Sequence, residues 1–357
     1  LEYLIDYGLF LAKTMTIVVA LIFIIGAIAS SSQKQMKGLK KGSIKVNRLN
    51  DHIDDMRNVL RRTVMDKPAM KLLAKQEKKA RKEERKTKKA EAKQQLATDD
   101  SSEVERKPRV YVLNFKGNIP ADGVDALREE ITAVLSIAEP RDEVLLRLES
   151  PGGMVHAYGL ASSQLMRIKN KNIPLTICVD KVAASGGYMM ACLADKLVSA
   201  PFAIIGSIGV LVQLPNFNRV LKKNDVDFEQ ISAGEFKRTL STFGEITDQG
   251  REKVKEDVET IHHLFKTWVK DHRPSVEIDK IATGETWVGT MAKERYMVDE
   301  IKTSDECIVD ACANADVFEV EFETPKSLQD KFGRAFATMT DTVYRRFFQR
   351  TDNDIYQ

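Results

Sequence analysis

The chain has 357 residues, 43% of them apolar, which is enough for a large buried core and beyond the size at which a fold must lean on metals or disulfides. Its formal charge of +3 conceals an uneven distribution: residues 71–93 carry eleven Lys/Arg against four Glu, so the rest of the chain is net acidic and the basic character belongs to one segment. Cys178, Cys192, Cys307 and Cys312 lack paired-ligand spacing, and three of the four sit in apolar runs, which argues for core packing and against a zinc module or a disulfide framework.

Residues 9–29, LFLAKTMTIVVALIFIIGAIA, follow a short N-terminal flank (1–8) and are apolar apart from Lys13 and two threonines, the roughly 20 residues a membrane helix needs. Glu2 and Asp6 precede this run where a cleavable signal peptide carries positive charge, so the expectation is an uncleaved anchor in contact with membrane lipid. Lys34, Lys37, Lys40, Lys41, Lys45 and Arg48 follow at once, and the positive-inside rule puts that flank in the cytoplasm. Residues 30–106 read as a basic charged linker or solvated helix unable to bury a core of its own. No aromatic residues interleave with its charges for base stacking, so no nucleic-acid partner is expected.

The compact domain is expected over 107–325. RVYVLNF reads as a strand, VDALREEITAVLSIA as an amphipathic helix, EVLLRLES as a strand, HAYGLASSQLMRIKN as a helix, PLTICVD as a strand, GGYMMACLA as a short helix and KLVSAP as a strand. Such alternation through short connections predicts βαβ units and a largely parallel, covered sheet. After Thr247 a long helix presents Val254, Val258, Ile261, Leu264, Phe265 and Trp268 at helical spacing and reads as a packing element. Residues 326–357, with four phenylalanines among arginines, read equally as a docking arm or a frayed tail.

Three glycine-bearing turns each follow a strand: Glu149-Ser-Pro-Gly-Gly153, Ala184-Ser-Gly-Gly-Tyr188 and Gly206-Ser-Ile-Gly-Val210. Turns of this kind let backbone N–H groups converge on one point, which is how an oxyanion hole is built. Ser185, where a strand gives way to a helix, is a candidate nucleophile, or simply an N-cap serine. None of the five histidines falls between Ser185 and residue 261, and only His156, beside the first turn, competes as a base. Lysine serves as a base when neutral, a form that burial favours, and Lys237 among Phe236, Arg238, Thr239 and Leu240 fits that role. Without a partner motif it reads as a surface lysine.

ESPGG, VDKVAASGGYMMACLADKLVSAPFAIIGSIGV and AGEFKRTL together resemble the signal peptide peptidase A family of serine peptidases (peptidase family S49), and within it the short SohB-type branch. The resemblance covers roughly residues 107–310 and the N-terminal anchor. It implies an α/β fold of the ClpP/crotonase-like spiral type, Ser185 as nucleophile and Lys237 as general base. It also implies oxyanion donors at Gly153 and Gly186 with Gly152 as a further member, Ser207 orienting the lysine, and Ile208, Gly209 and Val210 as a substrate-pairing strand. No cofactor or metal is called for. Peptides are the expected substrates, a homo-oligomeric ring, octameric by resemblance, is the expected assembly, and the bacterial inner membrane is the expected location. The family suggests the periplasmic side, against the cytoplasmic side favoured by charge. A non-catalytic scaffold of the same fold and a crotonase-like acyl-CoA enzyme remain as rivals.

Overall fold

The computed structural model describes residues 6–11, 13–16, 42–66, parts of 68–86, and 106–324. Contacts divide the chain into two units, 1–43 with 322–357, and 44–321. In the first, residues 6–11 and 13–16 are helical and exposed. Most of the 9–29 run and all of 326–357 lie outside the described residues, and among the described residues no helix is long and apolar enough to cross a membrane.

The larger unit is a mixed α/β structure. In chain order its elements are β1 (Ser43–Arg48), α1 (Leu49–Val64), β2 (Arg109–Lys116), α2 (Val124–Leu135), β3 (Glu143–Glu149), α3 (Val155–Lys169), β4 (Leu175–Val179), β5 (Val182–Ala184), α4 (Gly186–Ala191), β6 (Lys196–Ser199) and β7 (Ile204–Gly206). There follow α5 (Asn218–Lys223), α6 (Asp248–His272), α7 (Ile278–Ile281), β8 (Thr286–Val288), α8 (Gly289–Glu294), β9 (Glu300–Ile301), α9 (Ser304–Asn314) and β10 (Asp316–Glu323). Seven strands form one sheet in the order β1-β10-β2-β3-β4-β6-β9, and every pairing from β10 to β9 is parallel. A second sheet, β5-β7-β8, pairs β5 with β7 in parallel and β7 with β8 antiparallel.

The parallel strands are apolar on both faces because both faces are covered. Tyr111, Leu113 and Phe115 of β2, Val144, Leu146 and Leu148 of β3, and Leu175, Ile177 and Val179 of β4 point into the main core with residues of α2, α3 and α4. The alternate residues Val110, Val112, Leu145, Cys178 and Val198 point the other way, onto Ile308 of α9 and Leu49 and Ile53 of α1. Period-two alternation within each strand thus divides one sheet between two cores.

Two expectations need correction. Residues 44–64 belong to the larger folded unit and not to a linker: β1 extends the large sheet and Leu49 and Ile53, one helical turn apart, pack on its second face. Asn50 clips α1 to the α9–β10 turn, donating to Cys312 O (3.2 Å) and Ala315 O (3.0 Å) and accepting from Val317 N–H (2.8 Å). α6 starts where the sequence indicates, with the Thr247 side chain capping Gly250 N–H and Gly250 buried against the Thr239 backbone, but its fully buried apolar side chains all lie in its C-terminal half. Phe265 and Val269 are buried and Trp268 Nε1 donates to Met189 O (3.0 Å), whereas Val254, Val258 and Ile261 are half-buried and Leu264 is exposed.

Candidate active site

Ser185 stands between β5 and α4 with φ 52° and ψ −120°, a strained strand-to-helix turn for a residue that carries a Cβ. Its N–H donates to Gly206 O (2.8 Å), so the turn at the end of β7 is tied directly to the serine. Ser150, at the end of β3, donates from its N–H to Val182 O (2.8 Å) and accepts from Ala184 N–H (3.0 Å), tying the first turn to the strand that delivers Ser185. Gly152, at φ +89°, approaches so closely that a Cβ there would lie 2.7 Å from Ala184 O, Gly186 N and Ser185 Cβ. Any side chain on that glycine would therefore push on the nucleophile. All three turns meet at Ser185.

The amides divide into committed and free. Gly152 N–H donates to Ser150 Oγ (3.1 Å), while the N–H groups of Gly153 and Gly186 have no acceptor among the described residues. Gly153 packs on the backbone of Ile119, and Met154 N–H donates to Ile119 O (2.9 Å), which pins the turn from its outer side. Gly186 is buried against the ring of Tyr158. α4 is held by Tyr188, fully buried, whose hydroxyl donates to Met297 O (3.1 Å) and whose phenol burial pushes well above its ordinary pKa. At the strand ends Glu149 bridges Lys181 (3.0 Å) and Lys116 (3.3 Å), and the Lys181 hydrogen bond, followed by that of Lys116, holds its carboxyl below the usual range.

Ser207 also has positive φ, 52°, and its N–H donates to Glu285 O (2.6 Å). Ile208 buries its side chain completely in the main core, whereas Gly209 and Val210 are half-buried and Leu211 is 72% exposed. Between Ile208 and Val212 no backbone hydrogen bond to another segment exists among the described residues. The shelter that the sequence suggests for Lys237 is absent in the single chain. Lys237 is exposed, and Phe236 turns its ring to Lys253 (Nζ 5.9 Å from the centroid) instead of covering its neighbour. No hydrogen bond joins Lys237 to Ser185 or Ser207 among the described residues. His156 is exposed at the start of α3.

Other nucleophiles are poorly placed. Cys192 is buried, and that burial pushes its thiol up to about 12, against a smaller opposing pull from Arg273. Among the described residues no group of three or more His, Cys, Asp or Glu side chains is close enough to hold a metal ion. Sequence reasoning passed over Tyr158 and Ser150, which lie between the turns. Ser150 stood within the ESPGG motif and Tyr158 was the one hydroxyl-bearing ring in α3, the available signals.

The family profile described as "Peptidase family S49 N-terminal" matches residues 2–165, and "Peptidase family S49" matches residues 167–317. The chain is 46% identical over 353 residues to a protein of Haemophilus influenzae named "Probable protease SohB", covering 99% of this chain and 98% of that one. It is 44% identical over 312 residues to the "Probable protease SohB" of Buchnera aphidicola subsp. Schlechtendalia chinensis, covering 87% and 99%. Similarity to "Protease 4" of Haemophilus influenzae is lower, 27% over 208 residues, 56% of this chain and 34% of that one. With both profiles lying on the strands and turns that converge on Ser185, this chain belongs to peptidase family S49 and is a protease of that family.

Proposed function

We propose that this S49 protease is a membrane-held serine endopeptidase that cuts unstructured or signal-peptide-like peptides through an acyl-enzyme on Ser185, with Lys237 as general base. One observation carries the reading: three strand-end turns converge on a serine held at φ 52°, with the Gly153 and Gly186 amides unengaged beside it. In the reaction neutral Lys237 takes the Ser185 proton and the alkoxide attacks the peptide carbonyl. The oxyanion rests on the Gly153 and Gly186 amides, and the departing amine takes the proton back from lysine. Water, deprotonated by the same lysine, then releases the acyl group. Gly152 serves by the space it leaves beside Ser185, since its amide is already given to Ser150.

Substrate lies extended along Gly209 and Val210, whose unengaged backbone suits β-addition; Ile208 contributes main chain only, its side chain being core. Ser207 is the residue proposed to orient the lysine. For Lys237 to act, its exposed segment must close over Ser185, and assembly into a ring of copies, octameric by resemblance, supplies that cover. The fold proposed is the ClpP/crotonase-like spiral, supported by a small sheet that carries the nucleophile apart from the large one. Residues 9–29 act as the proposed inner-membrane anchor, and the basic flank from Lys34 to Arg48 favours the cytoplasmic side for the protease domain. Added trypsin should then spare the domain in spheroplasts and digest it in inverted vesicles; the opposite pattern would place it in the periplasm.

The deciding experiment is hydrolysis of casein or an apolar-rich peptide by the purified full chain, compared with Ser185→Ala and Lys237→Ala. Both variants should lose activity by about a thousandfold or more with the fold intact. Near wild-type rate in Lys237→Ala would assign the base elsewhere. The exposure of Lys237 in a single chain favours the rival scaffold reading, and absence of fluorophosphonate labelling in the wild type would count further for it. An acyl-CoA reading requires a free carboxylate at the site, and the adjacent Glu149 is paired to two lysines.

A further inference from the structure

Tyr158 lies on α3, is fully buried, and touches both turns that would receive the oxyanion. Its hydroxyl meets Ser150 Oγ at 2.5 Å and donates to Asn118 O at 2.8 Å. Since the Tyr158 proton goes to Asn118, Ser150 is the donor to Tyr158, and Ser150 Oγ is then free to accept from Gly152 N–H at 3.1 Å. Every donor in the series has one acceptor and all bonds run in one direction, from Gly152 N–H through Ser150 Oγ–H and Tyr158 O–H to the Asn118 carbonyl. Bonds aligned in this way polarise and strengthen one another.

The far end of the series is itself anchored. Asn118 Nδ2 donates to Asp122 Oδ2 (2.8 Å) and its Oδ1 accepts from Asp122 N–H (3.0 Å). The next residue, Ile119, accepts from Met154 N–H on the other side of the Gly-Gly pair. Residues 118 and 119 therefore hold the first turn from both ends, one directly and one through two hydroxyls. Gly117 makes room for the hydroxyl pair: a Cβ there would collide with Tyr158 OH and lie 2.6 Å from Ser150 Oγ. The ring of the same tyrosine is the surface on which Gly186 rests, so a Cβ at Gly186 would strike it.

We propose that Tyr158 and Ser150 are positioning residues for acyl transfer: their hydroxyl relay fixes the Pro151–Gly152 peptide plane and, with Met154 N–H held by Ile119 on the far side, confines the Gly153 N–H between two anchored peptides, while the Tyr158 ring sets the height of the Gly186 N–H. This rests on the reading of Ser185 as nucleophile. A displacement of either donor by a fraction of an ångström weakens bonds that form fully only in the tetrahedral state, so the loss falls on kcat and spares KM. Burial raises the Tyr158 phenol above its ordinary pKa despite the Ser150 hydrogen bond, which keeps the hydroxyl protonated as the relay requires.

The test uses the full chain with Tyr158→Phe, which keeps the ring, with Ser150→Ala, and with the double variant. Each single variant should lower kcat about 10- to 100-fold with KM within about twofold, and slow fluorophosphonate labelling of Ser185 by a similar factor, since phosphonylation develops charge in the same place. The double variant should lose little more than either single, as members of one relay do. Unchanged kcat and labelling in an active, merely less stable Tyr158→Phe would overturn the proposal and leave the Ser185 reading standing. A wild type that neither cleaves nor labels would overturn both. Should Tyr158→Phe fail to fold, Ser150→Ala decides on the same two readouts.

Discussion

Ser185 keeps φ 52° at a cost of about 1–3 kcal/mol because the Gly206 carbonyl takes its N–H and its own carbonyl accepts from Met189 N–H at 3.0 Å. Strain of this kind persists where neighbours over-determine it, and here the neighbours are the other turns of the site. A second residue, Asp142, shows how buried charge is managed away from the chemistry. Fully buried, it receives both Arg106 guanidinium nitrogens (2.6 and 2.7 Å) and the N–H groups of Glu139 and Arg109 (both 3.0 Å). Burial by itself would raise its carboxyl, but Arg106 and the two amides together outweigh it and hold the group below its ordinary range. A depressed folded pKa stabilises the fold at any pH above the unfolded value of about 3.9, and the contribution drains as pH falls through the folded value. Asp142→Asn should therefore cost about 3 kcal/mol in urea unfolding at pH 7, with the gap from wild type shrinking below about pH 4. A gap independent of pH would remove the ion pair from the explanation.

At the scale of elements, α1 depends on distant partners. It has no side-chain cap, and the contacts that hold it are Leu49 and Ile53 against the second core, Arg48 on Asp316 (2.6 Å), and the three hydrogen bonds of Asn50. Removing Asn50 leaves the Val317 N–H without its acceptor, so Asn50→Ala should lower stability by about 1–3 kcal/mol and loosen β1 with α1. Hydrogen exchange should quicken in residues 43–64, while kcat per folded molecule stays as in the wild type. Protection equal to wild type there would mean that Leu49 and Ile53 hold the helix unaided. α6 shows the complementary case, a helix started by Thr247 and joined to the core by the side chains of Phe265, Trp268 and Val269.

For the whole molecule, the telling feature is a run of large apolar side chains left exposed between Leu211 and Phe243. Leu211 is 72% and Ile231 89% exposed, and Phe243 packs its ring at a tilt against Phe217 (6.2 Å between centroids) and Phe228 (5.9 Å) while each of the three remains partly open. Apolar surface on this scale marks an interface more often than a free face. Lys237, the proposed base, belongs to the same exposed segment, so assembly and activity should fail together. Ile231→Asp should shift the solubilised full chain from a multimer to smaller species in sedimentation and lower peptidase activity in parallel. Retention of the multimer would free this face from the proposed ring contact.

The strands β2, β3, β4 and β6, the helices α2, α3 and α6, and the three glycine turns were legible in the sequence because each depends on residues close together in the chain. A run such as LTICV announces burial on both faces, and Ser-Gly-Gly after a strand announces a turn with exposed amides. Features set by partners far along the chain were not legible. The strands β5, β7 and β8 are three residues each, too short to show a period, and are defined by pairing alone. α1 reads as a charged spacer until α9 and β10 come to meet it. The donation of the Gly152 amide to Ser150, the place of Tyr158 between two turns and the exposure of Lys237 were likewise decided only by tertiary structure. Periodicity records that a residue is buried; which atom accepts its hydrogen bond depends on segments that local pattern does not connect.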